Sequence, residues 1–513
     1  MNTKYIIIVL ITFVLFSACS NEFLDKKPLV QSSAETYYAN ESQANDAIIG
    51  CYSVLQNETF QLAPFMLIGD DCSDDCDLGN SKSEAYSWLG ATAQALLKFD
   101  VLPTNSQSNG LWTRGFRGIS YTTQAIQRIS ENSGIPEAKK NQFLGEAHYL
   151  RAFYYFFLTR QYGRLPIIDH ILNYEEYFMP RATQEETWAF IESELKKAAE
   201  LLPEKSKYPS SDLGRATKGA ANALLGKVYI YQNKYADAFA ILKTVVESGE
   251  YKLEPNYADV SIIEHENGIE SIFEIQHSTT GTGWGDSNEG AMLSFYEHDA
   301  DPSDPVKWHN GWSMHCPTQD LVDSYEAGDP RLHATVIFKD ELFDGHVNKN
   351  IASSTGYQSK KWYVPYAKRS QTDQSDNPKN IIFYRYADLL LYLAEAANEL
   401  GKTDEALTYL EQVRGRARSG ATDQNVLPIV TERDKDSLRQ IIWHERRVEL
   451  ACEGQRFWDL VRQKRAGSVM RAYSTKYSSI KGQSFVDGKS EIFPIPGTQV
   501  TLSNGTMEQN LGY

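Results

Sequence analysis

The sequence is poor in the features from which an activity is most directly read. It holds six cysteines. With Cys19 set aside, Cys51, Cys72, Cys76, Cys316 and Cys452 form an odd, scattered set and not a disulfide framework. Cys72 and Cys76 could pair with each other, but closing so short a loop would gain little. No CxxC pair and no HExxH occurs, so no motif supports a structural or catalytic zinc site. No GxSxG elbow marks a serine hydrolase. Positive charge is in deficit: 51 Lys and Arg face 67 Asp and Glu, a formal net charge of -16. Such a chain repels nucleic acid and anionic membrane surfaces, which excludes both as ligands. The apolar run Tyr5 to Phe16 is also too short to cross a bilayer, which takes about 20 residues.

That apolar run nevertheless has a clear meaning. Lys4 supplies a positive charge before it, and Ser17-Ala18-Cys19 follows at once. Charge, greasy core and small residues in this order read as a secretory signal over residues 1–18. A Cys directly after two small residues is the bacterial lipobox arrangement, here with Phe16 where Leu is usual. Cys19 is then the first residue of the mature chain and carries acyl chains such as palmitate. Each buried CH₂ of such a chain contributes about 0.8 kcal/mol of anchoring.

What the rest has in quantity is helical pattern and aromatic residues. Hydrophobic residues make up 42% and aromatics 12%, enough for a large core with rings to spare. Phe143, Ala147, Leu150, Tyr154 and Phe157 recur at helical spacing within 141–160. Thr183 as N-cap, Glu185 and Glu186 in the first turn and Pro203 as a stop predict a helix between them. Residues 43–55 and 112–129 predict two more. Two segments, near 220–247 and 384–416, match the tetratricopeptide pattern. Leu225, Gly226, Tyr229, Tyr235, Ala238 and Leu242 fill its places in the first, and Leu393, Ala394, Ala397, Gly401, Ala406, Leu410 and Val413 in the second. Small residues there let antiparallel helices approach closely. Units so far apart do not stack as an uninterrupted solenoid, so the expected fold is one helical scaffold with long excursions between them. Residues 257–380 are rich in Gly, Pro, Asp, Ser and Asn, with short strand-like runs at 271–275 and 334–338. They and the polar stretch near 70–100 are the expected loops, and their Trp, Tyr and His content argues against disorder. No linker divides the chain, so residues 19–513 are read as one domain.

Several stretches then resemble the SusD/RagB family. Phe23 to Pro28 is similar to its opening. Arg151-Ala152-Phe153-Tyr154-Tyr155, running to Tyr162-Gly163-Arg164-Leu165-Pro166, is similar to its RAxxYFxLxxxYGxxP stretch. Tyr384-Arg385-Tyr386-Ala387-Asp388-Leu389-Leu390 with Ala394-Glu395-Ala396 resembles its RYADVLLxxAEA helix. Glu445 to Leu460 resembles ERRxELxxEGxRxxDL. The end, Pro494-Ile495-Pro496 to Gln509-Asn510-Leu511-Gly512-Tyr513, resembles PIP…QNPGY with Leu511 in place of Pro. Glu22 and Asp25 look like the export tag of surface lipoproteins. The resemblance implies a mainly α SusD-like domain with tetratricopeptide-like repeats and a few short strands, tethered outside the outer membrane. It implies a lid over a SusC-like TonB-dependent transporter and a cargo of oligosaccharide, with peptide cargo as in RagB-like members the alternative. It implies no chemistry on that cargo and no cofactor.

The residues themselves are consistent with a binder. Glu445, Glu449 and Glu453 fall four apart with arginines beside them, a spacing that makes ion-pair ladders as readily as a catalytic cluster. No local signature singles out the two carboxylates that glycoside hydrolysis needs. His298, His309 and His315 with Asp299, Asp301 and Asp304 read as polar loop residues before metal ligands. Asp70 to Asp77 gathers the oxygens that Ca²⁺ takes but lacks the EF-hand spacing, so it reads as a solvated or glycan-facing loop first, with calcium second. Sugars offer flat C–H faces to exposed rings held on loops. Trp112, Trp188, Trp443 and Trp458 fall on predicted helices, and Trp362 near a family segment; these read as core. Trp88, Trp284, Trp308 and Trp312 remain, with Tyr296 and Asp71 beside them, as the expected ligand-binding set.

Overall fold

The computed structural model describes residues 38, 40–79, 84–279, 290–298, 311–349, 353–370, 373 and 375–513, with the side chains of 84–88 outside that set. The longer helices are α1 (Glu41–Ser53), α2 (Glu84–Lys98), α3 (Ser106–Glu131), α4 (Glu137–Tyr162), α5 (Gln184–Leu201) and α6 (Lys218–Tyr231). They continue with α7 (Tyr235–Glu247), α8 (Tyr386–Glu399), α9 (Thr403–Ser419), α10 (Lys435–Glu449), α11 (Arg456–Arg462) and α12 (Ala466–Tyr477). The mainly helical architecture is therefore the one the sequence predicts. Its local signals hold as well. At the start of α5 the Glu186 amide donates to Thr183 Oγ1 at 3.1 Å, and the Thr183 amide donates to Glu186 Oε2 at 2.8 Å. This reciprocal cap satisfies two amides that a helix start leaves without partners.

The helices stack as consecutive neighbours. α3 packs on α4, α4 on α5, α5 on α6 and α6 on α7; α7 then meets α8, and α8 packs on α9 and α10. The two repeats, α6–α7 and α8–α9, are thus adjacent in space although residues 248–385 separate them in the chain. Gly226 shows why small residues stand at these crossings. A methyl group there would run into the Leu242 side chain on α7. The central helix, α4, is buried on all its sides from Gly145 to Tyr162, where the sequence suggested a single apolar stripe. Its rings mesh with others from distant segments: Phe153 lies 4.5 Å from Phe383 and 5.4 Å from Phe273, centroid to centroid. Arg151 on it finds its partner inside the protein, its Nε donating to Glu194 at 2.8 Å.

The strands are β1 (Cys76–Asp77), β2 (Ser271–Ile275), β3 (Cys316–Pro317), β4 (Val336–Phe338), β5 (Leu342–Phe343), β6 (His346–Val347), β7 (Tyr357–Ser359) and β8 (Ile381–Arg385). They form antiparallel pairs, β1 with β3, β2 with β8, β4 with β7 and β5 with β6. The pair β2–β8 closes the base of the long excursion and is buried almost throughout. One expectation fails here. The stretch near 70–100 is not a solvent-facing loop, because a buried π-helical segment, Leu62–Asp71, runs into it and α2 occupies most of its second half.

Two glycines test the packing argument. Gly226→Val should destabilise the fold by about 1–3 kcal/mol through overpacking against Leu242. Gly50→Ala on α1, where an added methyl group meets nothing within 4 Å, should stabilise it by about 0.5–1 kcal/mol. Urea denaturation of both variants reads the two signs.

Candidate functional site

The charged segment from Glu445 to Asp459 could have been an active site, and its geometry shows a buried ion-pair network. Glu449 accepts from Arg385 at 2.7 Å and Arg331 at 3.0 Å, and also from Arg416. Glu445 accepts from Arg331 at 2.5 Å and Arg414 at 2.8 Å, and Glu453 accepts from Arg385 at 2.8 Å and Lys361 at 2.7 Å. Arg446 reaches Asp388 at 2.8 Å and Asp459 at 3.1 Å. The glutamates therefore pair with arginines from three other segments, and not with Arg446 and Arg447 beside them in sequence. Burial alone would raise the Glu449 carboxyl, but the guanidiniums of Arg416, Arg385 and Arg331 outweigh it and hold the group at about 2.

The acidic stretch is the other half of this network, which corrects its reading as a solvated or ligand-facing loop. Asp70, Asp71, Asp74 and Asp75 are all buried. Arg456 clamps Asp74 with two bonds of 2.8 and 2.9 Å. Arg447 donates to Asp75 at 2.6 Å and reaches Asp74 at 3.1 Å. Asp70 accepts from the Gly454 amide at 2.7 Å and from His315 Nε2 at 2.9 Å. Asp71, expected at the ligand face, has no exposed surface, so it cannot touch a bound sugar there. With guanidiniums holding Asp74 and Asp75, the stretch is also not the open oxygen cage that calcium takes. Cys72 and Cys76 do not pair; both are free and buried, and Cys76 Sγ lies 3.5 Å from Cys452 Sγ.

The aromatic candidates separate in the structure. Trp112, Trp188, Trp362 and Trp458 are core, as expected, while Trp443 is half-buried. Trp284 and Trp308 lie outside the described residues, as do His309, Asp299, Asp301 and Asp304. Trp88 falls on α2, with its side chain outside the description. His298 and His315 are buried, contrary to their reading as polar loop residues. Tyr296 is fully buried and donates its hydroxyl to Glu58, so it is not an exposed stacking ring. It backs Trp312, which is half-buried, with ring centroids 5.0 Å from Tyr296 and 5.3 Å from Phe295.

The backbone around these rings explains how they are carried. A short buried helix, Met292–Glu297, sits between the segments that bear Trp284 and Trp308. At one end the Ala291 amide donates to Asn377 O at 2.7 Å. At the other, Ser313 donates to His298 O and Met314 to Tyr296 O, both at 2.8 Å. These bonds fix both ends of the six-residue helix, and Trp312 stands beside the second of them. Both that helix and α2 pack on the π-helical segment Leu62–Asp71. Separately, a half-open groove of about 610 Å³ runs beside α3, lined by Trp112, Phe116, Gln124, Ile168, Tyr177 and Met507 among others. No sequence signal pointed to it, because its lining comes from three segments with no shared motif.

A stack of paired helices locked by buried ion pairs defines a helical-repeat scaffold. Two family profiles match the chain: one described as the SusD family over residues 269–513, and one described as starch-binding associating with the outer membrane over residues 22–230. The chain belongs to the SusD/RagB family of non-catalytic binding proteins. It is 25% identical to SusD-like protein P2 of Formosa agariphila over 99% of this chain and 100% of that one. Among solved structures, a laminarin-binding SusD-like protein matches with a TM-score of 0.78 and 27% identity, over 93% of this chain and 100% of that one. Surface glycan-binding protein A of Bacteroides thetaiotaomicron, solved with laminarihexaose, matches with a TM-score of 0.76 over 92% of this chain and 100% of that one; at 22% identity it shows the shared fold.

The network predicts its own acid sensitivity. The folded Glu449 carboxyl sits at about 2, below its ordinary 4.5. Its stabilising contribution is therefore present above about 4.5 and is lost as pH falls toward 2. Glu449→Gln should cost about 3–5 kcal/mol near neutral pH, because three guanidiniums lose their shared anion. Denaturation midpoints across pH 2–7 should fall less steeply at the acid end for that variant.

Proposed function

We propose that the protein captures an oligosaccharide outside the cell and passes it to a SusC-like TonB-dependent transporter. The observation that carries this reading is the likeness, across nearly the whole chain, to a laminarin-binding SusD-like protein at 27% identity. The cargo is stacked on rings of the two excursions from the helix Met292–Glu297, with Trp284, Trp308 and Trp312 as contacts and Trp88 on α2 completing the face. Tyr296 acts from beneath, fixing Trp312, and Asp71 has no part in contact. Selectivity comes from stacking plus a few hydrogen bonds, with affinity modest enough for cargo to move on. Among the described residues no helix is long and apolar enough to cross a membrane. Attachment to the outer membrane is assigned, on the lipobox-like sequence Ser17-Ala18-Cys19, to acyl chains on Cys19, which lies outside the described residues. A single chain binds only marginally, so two or more are needed there for a stable anchor.

Replacing Trp284, Trp308 and Trp312 together by Ala should weaken calorimetric binding of the natural glycan at least tenfold, about 1.4 kcal/mol. Unchanged affinity would remove the site assignment, and binding of a peptide pool without any glycan would remove the function. Cys19→Ser should move the protein from the membrane fraction to the soluble fraction and abolish labelling by a palmitate analogue.

A further inference from the structure

The strongest feature outside the glycan face lies deep in the frame, where three far-separated segments converge. Cys76 is in β1, His315 stands just before β3, and Cys452 follows α10. Their side chains are completely buried, and one ligand atom from each falls within 4.8 Å of the others. The two sulfurs are 3.5 Å apart, too far for a bond of about 2.05 Å and close to the spacing of two thiolates on one tetrahedral metal. Two further observations point to a cation. His315 Nε2 is held at 2.9 Å by Asp70, which the Gly454 amide also fixes at 2.7 Å. A carboxylate that orients an imidazole is the usual outer-shell partner of a metal-binding His. The remaining nitrogen, Nδ1, has no hydrogen-bond partner, and neither oxygen of the buried Asp71 has one either. Buried polar groups without partners are costly, and an ion is one way to meet that cost. The surrounding charges agree in sign. Asp70, Asp71 and Glu297 face the cluster, with Glu297 Oε1 3.8 Å from His315 Nδ1. The nearby cation Lys481 is spent on the Cys76 carbonyl.

We propose that Cys76, His315 and Cys452 form a structural site for a soft divalent cation, zinc being the best match to two thiolates and an imidazole. Zn²⁺ forms two bonds to sulfur and one to an imidazole nitrogen. Each thiol gives up its proton to solvent, and no electron is transferred. Because the cluster is sealed from solvent, the ion enters as the chain folds and becomes part of its stability. It pins the strand after the π-helical segment, the neck of the second excursion and the turn after α10 to one point. The site is independent of glycan binding.

The test uses untagged full-length protein, refolded with Zn²⁺ or with Co²⁺ and freed of loose metal by gel filtration. About one zinc per chain should remain by mass spectrometry of the elements, and the cobalt form should show a thiolate-to-cobalt charge-transfer band. Cys76→Ser/Cys452→Ser should lose both, while Cys51→Ser, a buried cysteine outside the cluster, keeps both. Absence of zinc and of the cobalt band in the wild-type protein overturns the proposal, as does an intact mass showing a Cys76–Cys452 disulfide. Wild-type spectra decide the matter even where the double variant does not fold.

Discussion

The interaction on which the rest of the structure depends is the buried pairing of guanidiniums with carboxylates around Glu449 and Asp74. Charges placed this deep lose several kcal/mol of hydration each, and only a complete set of partners offsets the loss. Here the partners come from β8, α9, the segment around Arg331 and the acidic stretch that ends the π-helix. Every segment must therefore arrive in register before the network closes. We read its contribution as specificity more than raw stability, since well-packed apolar residues can match buried ion pairs in energy. The segment Glu445 to Asp459 is then a latch: it locks the acidic stretch, the segment around Arg331 and the second repeat together.

Around that latch the helices do ordinary packing work. α4 is enclosed by α3, α5 and the rings of β2 and β8, so its polar residues are met inside the protein. Arg160, for instance, lies over the faces of Phe156, Phe157 and Trp458, with its guanidinium carbon 4.5–4.6 Å from their centroids. The close approach of α6 and α7 at Gly226 belongs to the same logic: small residues at crossings set helix distance, and large ones fill what remains. The result is a frame that includes the buried helix Met292–Glu297.

What could be read from the sequence was what local chemistry decides. The cap at Thr183, the stop near Pro203, the strand at 271–275 and the small residues of both repeats are all visible within a few residues of where they act. The acidic stretch could not be read that way. Asp74 and Asp75 look solvated until Arg447 and Arg456, more than 370 residues onward, are brought to them. Tyr296 was placed among the exposed rings for the same reason, since its burial depends on Glu58, 238 residues upstream. The Cys76, His315 and Cys452 cluster is the extreme case. No spacing rule connects three residues on three segments, and a search for paired motifs passes over them. Motif-based reading finds sites built on one element and misses those built by the fold.

The necks at the two ends of the helix Met292–Glu297 are closed by backbone bonds. The bonds that close them, from Ala291, Ser313 and Met314, run between backbone groups, which any residue but proline on the donor side can supply. The closure of the necks thus makes no demand on the side chains that supply these bonds. The frame itself tolerates no such freedom at the latch, where removing one charge strands several others. Identity of 27% alongside a TM-score of 0.78 with a laminarin-binding relative shows that this architecture is kept while most positions differ.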